Sequence, residues 1–148
     1  MVQLSHQCIL QDVRRRRLED PSIVPTAIAS IPQIRMTRRL EGAFTLSDAQ
    51  MHTRFADSVG MVSDWRQRGP VYEVPYSILY SRAVPNLITA GRCVSVTDGM
   101  WDIMRVIPCC AVTGQAAGTA AALTDDFPSL DVRALQTCLM ENGVVLHE

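Results

Sequence analysis

Three groups of residues in this chain have the types and spacing to do chemistry. Asp98 and Asp102 stand in the polar stretch 95–107, and Arg105 follows closely. Loop carboxylates can carry protons to and from a substrate, or they can form turns and cap a helix. Cys109 and Cys110 follow Pro108, where a helix is expected to begin, and a helix start lowers a thiol pKa. Neighbouring cysteines make only a strained disulfide, and the CxxxxC spacing of a redox pair is absent, so the pair reads as small buried residues. Arg35, Arg38 and Arg39 form the third group. On an extended strand Arg35 and Arg39 share one face and Arg38 takes the other. Guanidinium forks so placed can grip anionic groups, or line a solvated edge.

The composition limits the alternatives. With 148 residues, 47% of them hydrophobic and only 5% aromatic, the chain fits one domain with an aliphatic, Ala-rich core. All 14 basic residues are Arg, which suits either the base composition of the gene or the holding of anionic groups. A net charge of -1 gives no reason to expect nucleic acid as a partner, and the run Arg14 to Arg17 reads as a solvated face or tail. The five cysteines have no CxxC and the three histidines are far apart, so no metal site is expected and free thiols in a reducing, cytoplasmic setting are. The start of the sequence does not read as a signal peptide. Val106 to Thr124 is uncharged and nearly long enough to span a membrane, but Pro108, Gln115 and its many alanines and glycines favour a buried helix outside any membrane.

The elements that must position these residues follow from periodicity and breakers. Residues 1–20 read as a helix, and Pro21 and Pro25 bracket a second short one to about Ser30. Pro32 ends that helix, and Gln33 to Leu40 reads as an Arg-bearing strand. Gly42 bends the chain into a second strand, Ala43 to Leu46. Ser47 with Gln50 forms a capping box expected to open a helix to about Gly60. Asp64 to Pro70 is a loop and Val71 to Tyr76 a strand, with Tyr72 inward and Glu73 free to meet an arginine. Leu87 to Ala90 is a short buried strand ending at Gly91, and residues 95–107 are a loop. A helix runs from Pro108, at a first-turn position that needs no N–H, to Leu123. Its stripe of Ala111, Gly114, Gly118 and Ala122 suits close packing against another backbone. Asp131 opens a final helix to Glu141, Gly143 caps it, and Val144 to Leu146 is a last strand.

The motifs IRMTRRLEGAFTLSDAQ (34–50), GPVYEVPY (69–76), NLITAGRCVS (86–95) and RVIPCCAVTGQAAGTAAAL (105–123), in that order, resemble the FAD-dependent oxidoreductase family, related to fumarate reductase and glutathione-reductase-like flavoproteins. The resemblance covers roughly residues 20–125. It implies an α/β or α+β fold that is part of a glutathione-reductase-like FAD-binding domain, with short strands around an Ala/Gly-rich helix. It implies FAD as cofactor and hydride transfer to or from a small-molecule substrate.

The resemblance also assigns residues. The strand NLITAG would run under the flavin, with Gly91 letting the backbone approach the ribityl chain. Relatives often carry an acid after that glycine; Arg92 stands here, leaving a backbone contact. The first turn after Arg105 would aim N–H groups of Ile107, Cys109 and Cys110 at the pyrimidine edge of the isoalloxazine. That edge gains negative charge on reduction, and a helix start stabilises it. Arg105 would anchor substrate and Asp98 or Asp102 would carry protons. Arg35 and Arg39 would bind substrate.

One element of such a site is missing. The Gly-rich turn GxGxxG that holds the dinucleotide does not occur, and there is no GxG anywhere. The chain therefore reads as the carboxy-terminal part of a flavoenzyme. Residues 1–84 would supply part of a substrate cap and residues 85–148 the flavin-contacting segment, with an amino-terminal FAD-binding half as partner. The competing readings are a catalytically silent fragment and an Arg-rich interaction module that holds no cofactor.

Overall fold

The computed structural model describes residues 2–25 and 36–148, with side chains from residue 7 onward, and it divides into two units, Met1–Ile34 and Arg35–Glu148. In the first unit, α1 (Val2–Glu19) is the expected helix. Asp12 pairs with Arg15 at 2.6 Å and Arg16 at 2.8 Å, so part of the arginine run is neutralised within the helix. After α1 the Asp20 carboxylate accepts from the Ser22 N–H and hydroxyl, which makes a turn where the second short helix was expected to begin. The rest of that expected helix and Arg35 lie outside the described residues.

The second unit mixes helices with two small antiparallel sheets, an α+β arrangement. Its first departure from the sequence reading is at residues 36–46. The described part of the expected Arg-bearing strand is a bend and extended chain, and Ala43 to Leu46 contributes only an isolated parallel bridge, Leu46 to Val96. The Leu40 N–H donates to the Cys93 carbonyl at 2.7 Å, and the Thr97 N–H to the Leu46 carbonyl at 2.9 Å, so this segment runs alongside residues 93–97.

The capping box at Ser47 and Gln50 is present with both of its bonds, yet it opens only a single turn, Asp48–Gln50. No helix follows to Gly60. His52 takes a left-handed φ of 53°, which ends helical propagation, and Ser58–Ser63 becomes strand β1. Its SVGMVS sequence pairs antiparallel with β2 (Val71–Pro75) across the loop 64–70. That pairing buries Val59 and Val62 with Tyr72 and Val74, an arrangement worth more than a weak local helix signal. Glu73 is buried, and it meets His147 and the Phe55 N–H rather than an arginine.

A second ribbon, β3 (Tyr80–Ser81) and β4 (Val84–Ile88), precedes Gly91. Strand β4 starts three residues earlier than read, and it is largely exposed rather than buried. The stretch 95–107 is not a loop, because Asp98–Met104 forms α2, which buries Met100, Ile103 and Met104. These apolar residues have helical spacing inside a stretch whose charges suggested a loop.

Helix α3 (Ile107–Leu123) appears where expected, with Pro108 in its first turn. It buries Cys109, Thr113, Ala116, Ala117 and Ala120. The stripe of Ala111, Gly114, Gly118 and Ala122 instead faces outward, and a Cβ at either glycine would meet nothing within 4 Å. The expected close packing therefore uses the opposite, alanine face. Helix α4 (Val132–Glu141) is capped by Asp131, whose side chain accepts from the Arg133 N–H, and ends at Gly143 with φ 81°. Val144 to Leu146 continues extended without pairing as a strand, and Leu146 is buried. Residues on both sides of position 84, from Leu46 to Leu146, share one core. Among the described residues no single helix is long and apolar enough to cross a membrane, and α2 and α3 are bent 90° from one another.

Candidate functional site

The candidate site lies where the residues after β4 meet the start of α3. At Gly91 the backbone turns with φ 67°, a conformation that favours glycine. A Cβ there would lie 3.3 Å from the Cys110 sulfur, so the turn rests directly on the first turn of α3. The Gly91 N–H donates to the Thr113 hydroxyl at 2.8 Å, and that hydroxyl donates in turn to the Cys109 carbonyl at 2.8 Å. Thr113 is fully buried. It fixes the distance between the glycine turn and the helix, a role the sequence reading did not give it.

The amino end of α3 has no side-chain cap: Val106 occupies the cap position. The first helical bond runs from the Cys110 N–H to the Val106 carbonyl at 3.0 Å. Of the three expected backbone donors, Cys110 is thus engaged inside the helix. The Ile107 and Cys109 N–H groups precede that bond and are the orphan donors of the first turn, while Pro108 has none. The Ile107 side chain is 85% exposed beside them. A long helix with an uncapped start and an exposed apolar residue can receive a flat, electron-rich ring. The Cys109 thiol is buried and pushed up to about 11 by that burial and by the neighbouring Cys110. It is not an activated nucleophile.

Helix α2 organises the charged residues. Arg39 pairs with Asp98 at 2.5 Å and lies 5.0 Å above the Trp101 ring. The Trp101 indole N–H donates to the Arg92 carbonyl at 2.7 Å, which ties α2 to the glycine turn. Arg92 itself is exposed, and its carbonyl is the part that the structure engages. On the other side of α2, the Asp102 carboxylate accepts from Arg105 Nε at 2.7 Å and lies 3.7 Å from an Arg66 nitrogen. Arg105 also lies 5.9 Å from the Trp65 ring centre, and the Trp65 indole N–H donates to the Asp102 carbonyl at 3.1 Å. Arg66 is anchored by the buried Asp64, which accepts from its Nε and one terminal nitrogen at 2.9 Å each. Hydrogen bonds from Arg66, opposed by burial, hold the Asp64 carboxyl down at about 2.

The structure thus gathers Arg39, Asp98, Arg92, Asp102 and Arg105 around α2 and sets Gly91, Ile107, Cys109 and Cys110 beside them at the start of α3. Arg35 lies outside the described residues. Trp65, Arg66 and Trp101 belong to the same neighbourhood, and the sequence reading missed them. Trp65 and Arg66 lie in the stretch 64–70 and Trp101 in the stretch 95–107, both of which the sequence presented only as loops.

The sequence profile of the family described as FAD dependent oxidoreductase matches residues 2–139, nearly the whole chain. The chain belongs to the FAD-dependent oxidoreductase family. Comparison with curated proteins and with solved structures gives no match. Membership accounts for the order of motifs in the flavoprotein resemblance and implies FAD as the cofactor of the family's chemistry.

Proposed function

We propose that this flavoprotein-family chain supplies the flavin-facing helix start and part of the substrate site of an oxidoreductase, acting with an FAD-binding half that carries the Gly-rich turn. The observation that carries the proposal is the uncapped first turn of α3 held against the Gly91 turn by Thr113. The fit to FAD is partial. Gly91, Ile107 and Cys109 suit the isoalloxazine end, whereas the sequence carries no Gly-rich turn of the kind that holds the adenosine diphosphate end. When bound, FAD would accept or donate the hydride.

The chain's own residues would do the rest. The Ile107 and Cys109 N–H groups would stabilise negative charge at the pyrimidine edge. Arg39 and Arg105, each braced by an aspartate and a tryptophan, would orient an anionic or polar substrate. Asp98, whose side chain is 92% exposed, is better placed to exchange a proton with solvent than Asp102, which two arginines surround. The exposed face of Ala111, Gly114, Gly118 and Ala122 would receive the missing half, since none of the described residues of the second unit covers it.

The absence of any GxG favours a second reading for the chain by itself, that of a silent fragment without cofactor. One experiment separates the two. The purified chain is titrated with FAD alone, then with an FAD-loaded dinucleotide-binding half from a family member, and the flavin spectrum and midpoint potential are followed. The proposal expects weak or no binding of free FAD, and a shifted flavin spectrum when both halves are present. Gly118→Leu should keep the fold, since the site is open, and should abolish the shift. No spectral change with the complementing half would support the silent fragment, and stoichiometric FAD on the chain alone would overturn the need for a partner.

A further inference from the structure

A second cluster of titratable groups lies away from the α2 and α3 site. Residues 144–148 run from the end of α4 back across the β1–β2 hairpin. The path is fixed by apolar and backbone contacts. Leu146 is buried, its carbonyl accepts from the buried Ser58 hydroxyl at 2.6 Å, and the Val144 N–H donates to the Leu139 carbonyl at 3.0 Å. The next two residues then form a reciprocal pair of contacts with the body of the unit. His147 Nδ1 meets Glu73 Oε1 at 2.8 Å, and Glu148 Oε2 meets His52 Nδ1 at 2.9 Å. The strap offers one imidazole and one carboxylate, and the body offers the complement.

The backbone at His52 adds an independent observation. Its φ of 53° is a left-handed conformation, uncommon for a residue other than glycine. The His52 N–H donates to the Val71 carbonyl at 2.8 Å, which ties its backbone to the start of β2. From this turn the ring reaches a carboxylate 96 residues away in the sequence.

We propose that residues 144–148 are a proton-tightened strap over the hairpin, fastened by the His147–Glu73 and Glu148–His52 pairs. An ionised carboxylate only accepts, so Nδ1 carries a hydrogen in both pairs, and protonation adds the charge at Nε2. Charged imidazoles make each contact a charge-assisted bond, and neutral ones leave a single weaker bond. The strap is therefore held more tightly when the imidazoles are charged than when they are neutral. The cavity of about 200 Å³ beside His52 is lined by the charged groups Arg54 from the loop before β1, Glu73 from β2 and Glu148 from the strap, with the uncharged Met61 from β1, and the His147 ring meets Glu73. The second Glu73 oxygen accepts from the Phe55 N–H at 2.7 Å, so this carboxylate is held in place whatever the state of His147.

The test is hydrogen exchange at the Val144 amide, the strap amide that donates to the Leu139 carbonyl, in the full chain between pH 5.5 and 8, corrected for intrinsic exchange. Two partly exposed pairs should make protection roughly two- to five-fold greater at pH 5.5. In H52Q/H147Q, where glutamine keeps an N–H donor but takes no charge, the pH dependence should vanish. If that variant does not fold, E148Q, at an exposed position, should remove about half of it. A parent profile that is flat, or one that either folded variant reproduces in full, would overturn the proposal.

Discussion

Replacing Gly91 with alanine isolates the close approach on which the flavin-site reading depends. Two separate penalties act there. The first is conformational. At φ 67° an L side chain sits in the left-handed region, at about 1–2 kcal/mol relative to glycine. The second is steric. The new Cβ would stand 3.3 Å from the Cys110 sulfur, so that side chain must move by a few tenths of an ångström. A contact of that size adds at most about 1 kcal/mol, because overpacking by a whole methylene group typically costs 1–3 kcal/mol. The expected total is about 1.5–3 kcal/mol, a midpoint fall of roughly 6–24 °C at about 4–8 °C per kcal/mol for a unit near 100 residues. Urea unfolding of G91A, C110A and G91A/C110A separates the two. The double variant should recover the steric part, seen as a coupling of about 0.5–1 kcal/mol, and leave the conformational part intact. A G91A chain within about 0.5 kcal/mol of the parent would refute the argument, since substitutions without structural consequence fall in that range. So would a full recovery on truncating Cys110, which would show that the left-handed turn imposes no strain.

Three further outcomes are expected. Thr113→Val should destabilise by about 1–3 kcal/mol by leaving the Gly91 N–H without its acceptor, while Thr113→Ser should stay near the parent; equal losses for the two in thermal unfolding would contradict the bond's role. Asp64 has a folded pKa of about 2, below its unfolded value, so its contribution is present above about pH 4 and is lost as pH falls toward 2. Asp64→Asn should therefore be less stable than the parent at pH 6 and should approach it at pH 2, and parallel stability curves would show that the Arg66 contact does not act through charge. Cys109, buried and raised to about 11, should resist a thiol reagent in the folded chain at pH 8 while the exposed Cys8 and Cys93 react. Mass mapping that finds Cys109 labelled as fast as Cys93 would count against the buried face of α3.

Much of this protein was legible in its sequence. Helix α3 was, because Pro108, an unbroken run of helix-forming residues and the polar stretch after Leu123 are local signals. So were α4 with its Asp131 cap, the loop 64–70, strand β2 and the motif order that marks the family, which are also properties of short segments. The tertiary structure decided what depends on distant partners. It cut the expected helix after Ser47 to one turn and made its end, from Ser58, the start of β1, because pairing with β2 buries Val59 and Val62. It made α2 out of an apparent loop, because Met100, Ile103 and Met104 find a core to enter. It also chose which face of α3 is buried. Alanines and glycines occur all round that helix, so its sequence carries almost no amphipathic signal, and only contact with the rest of the unit selects Cys109, Thr113, Ala116 and Ala120 over the open glycine stripe. The reciprocal pairing of His147 and Glu148 with Glu73 and His52 lay beyond sequence reasoning for the same physical reason: side chains 74 and 96 residues apart meet only once the hairpin and the strap have packed.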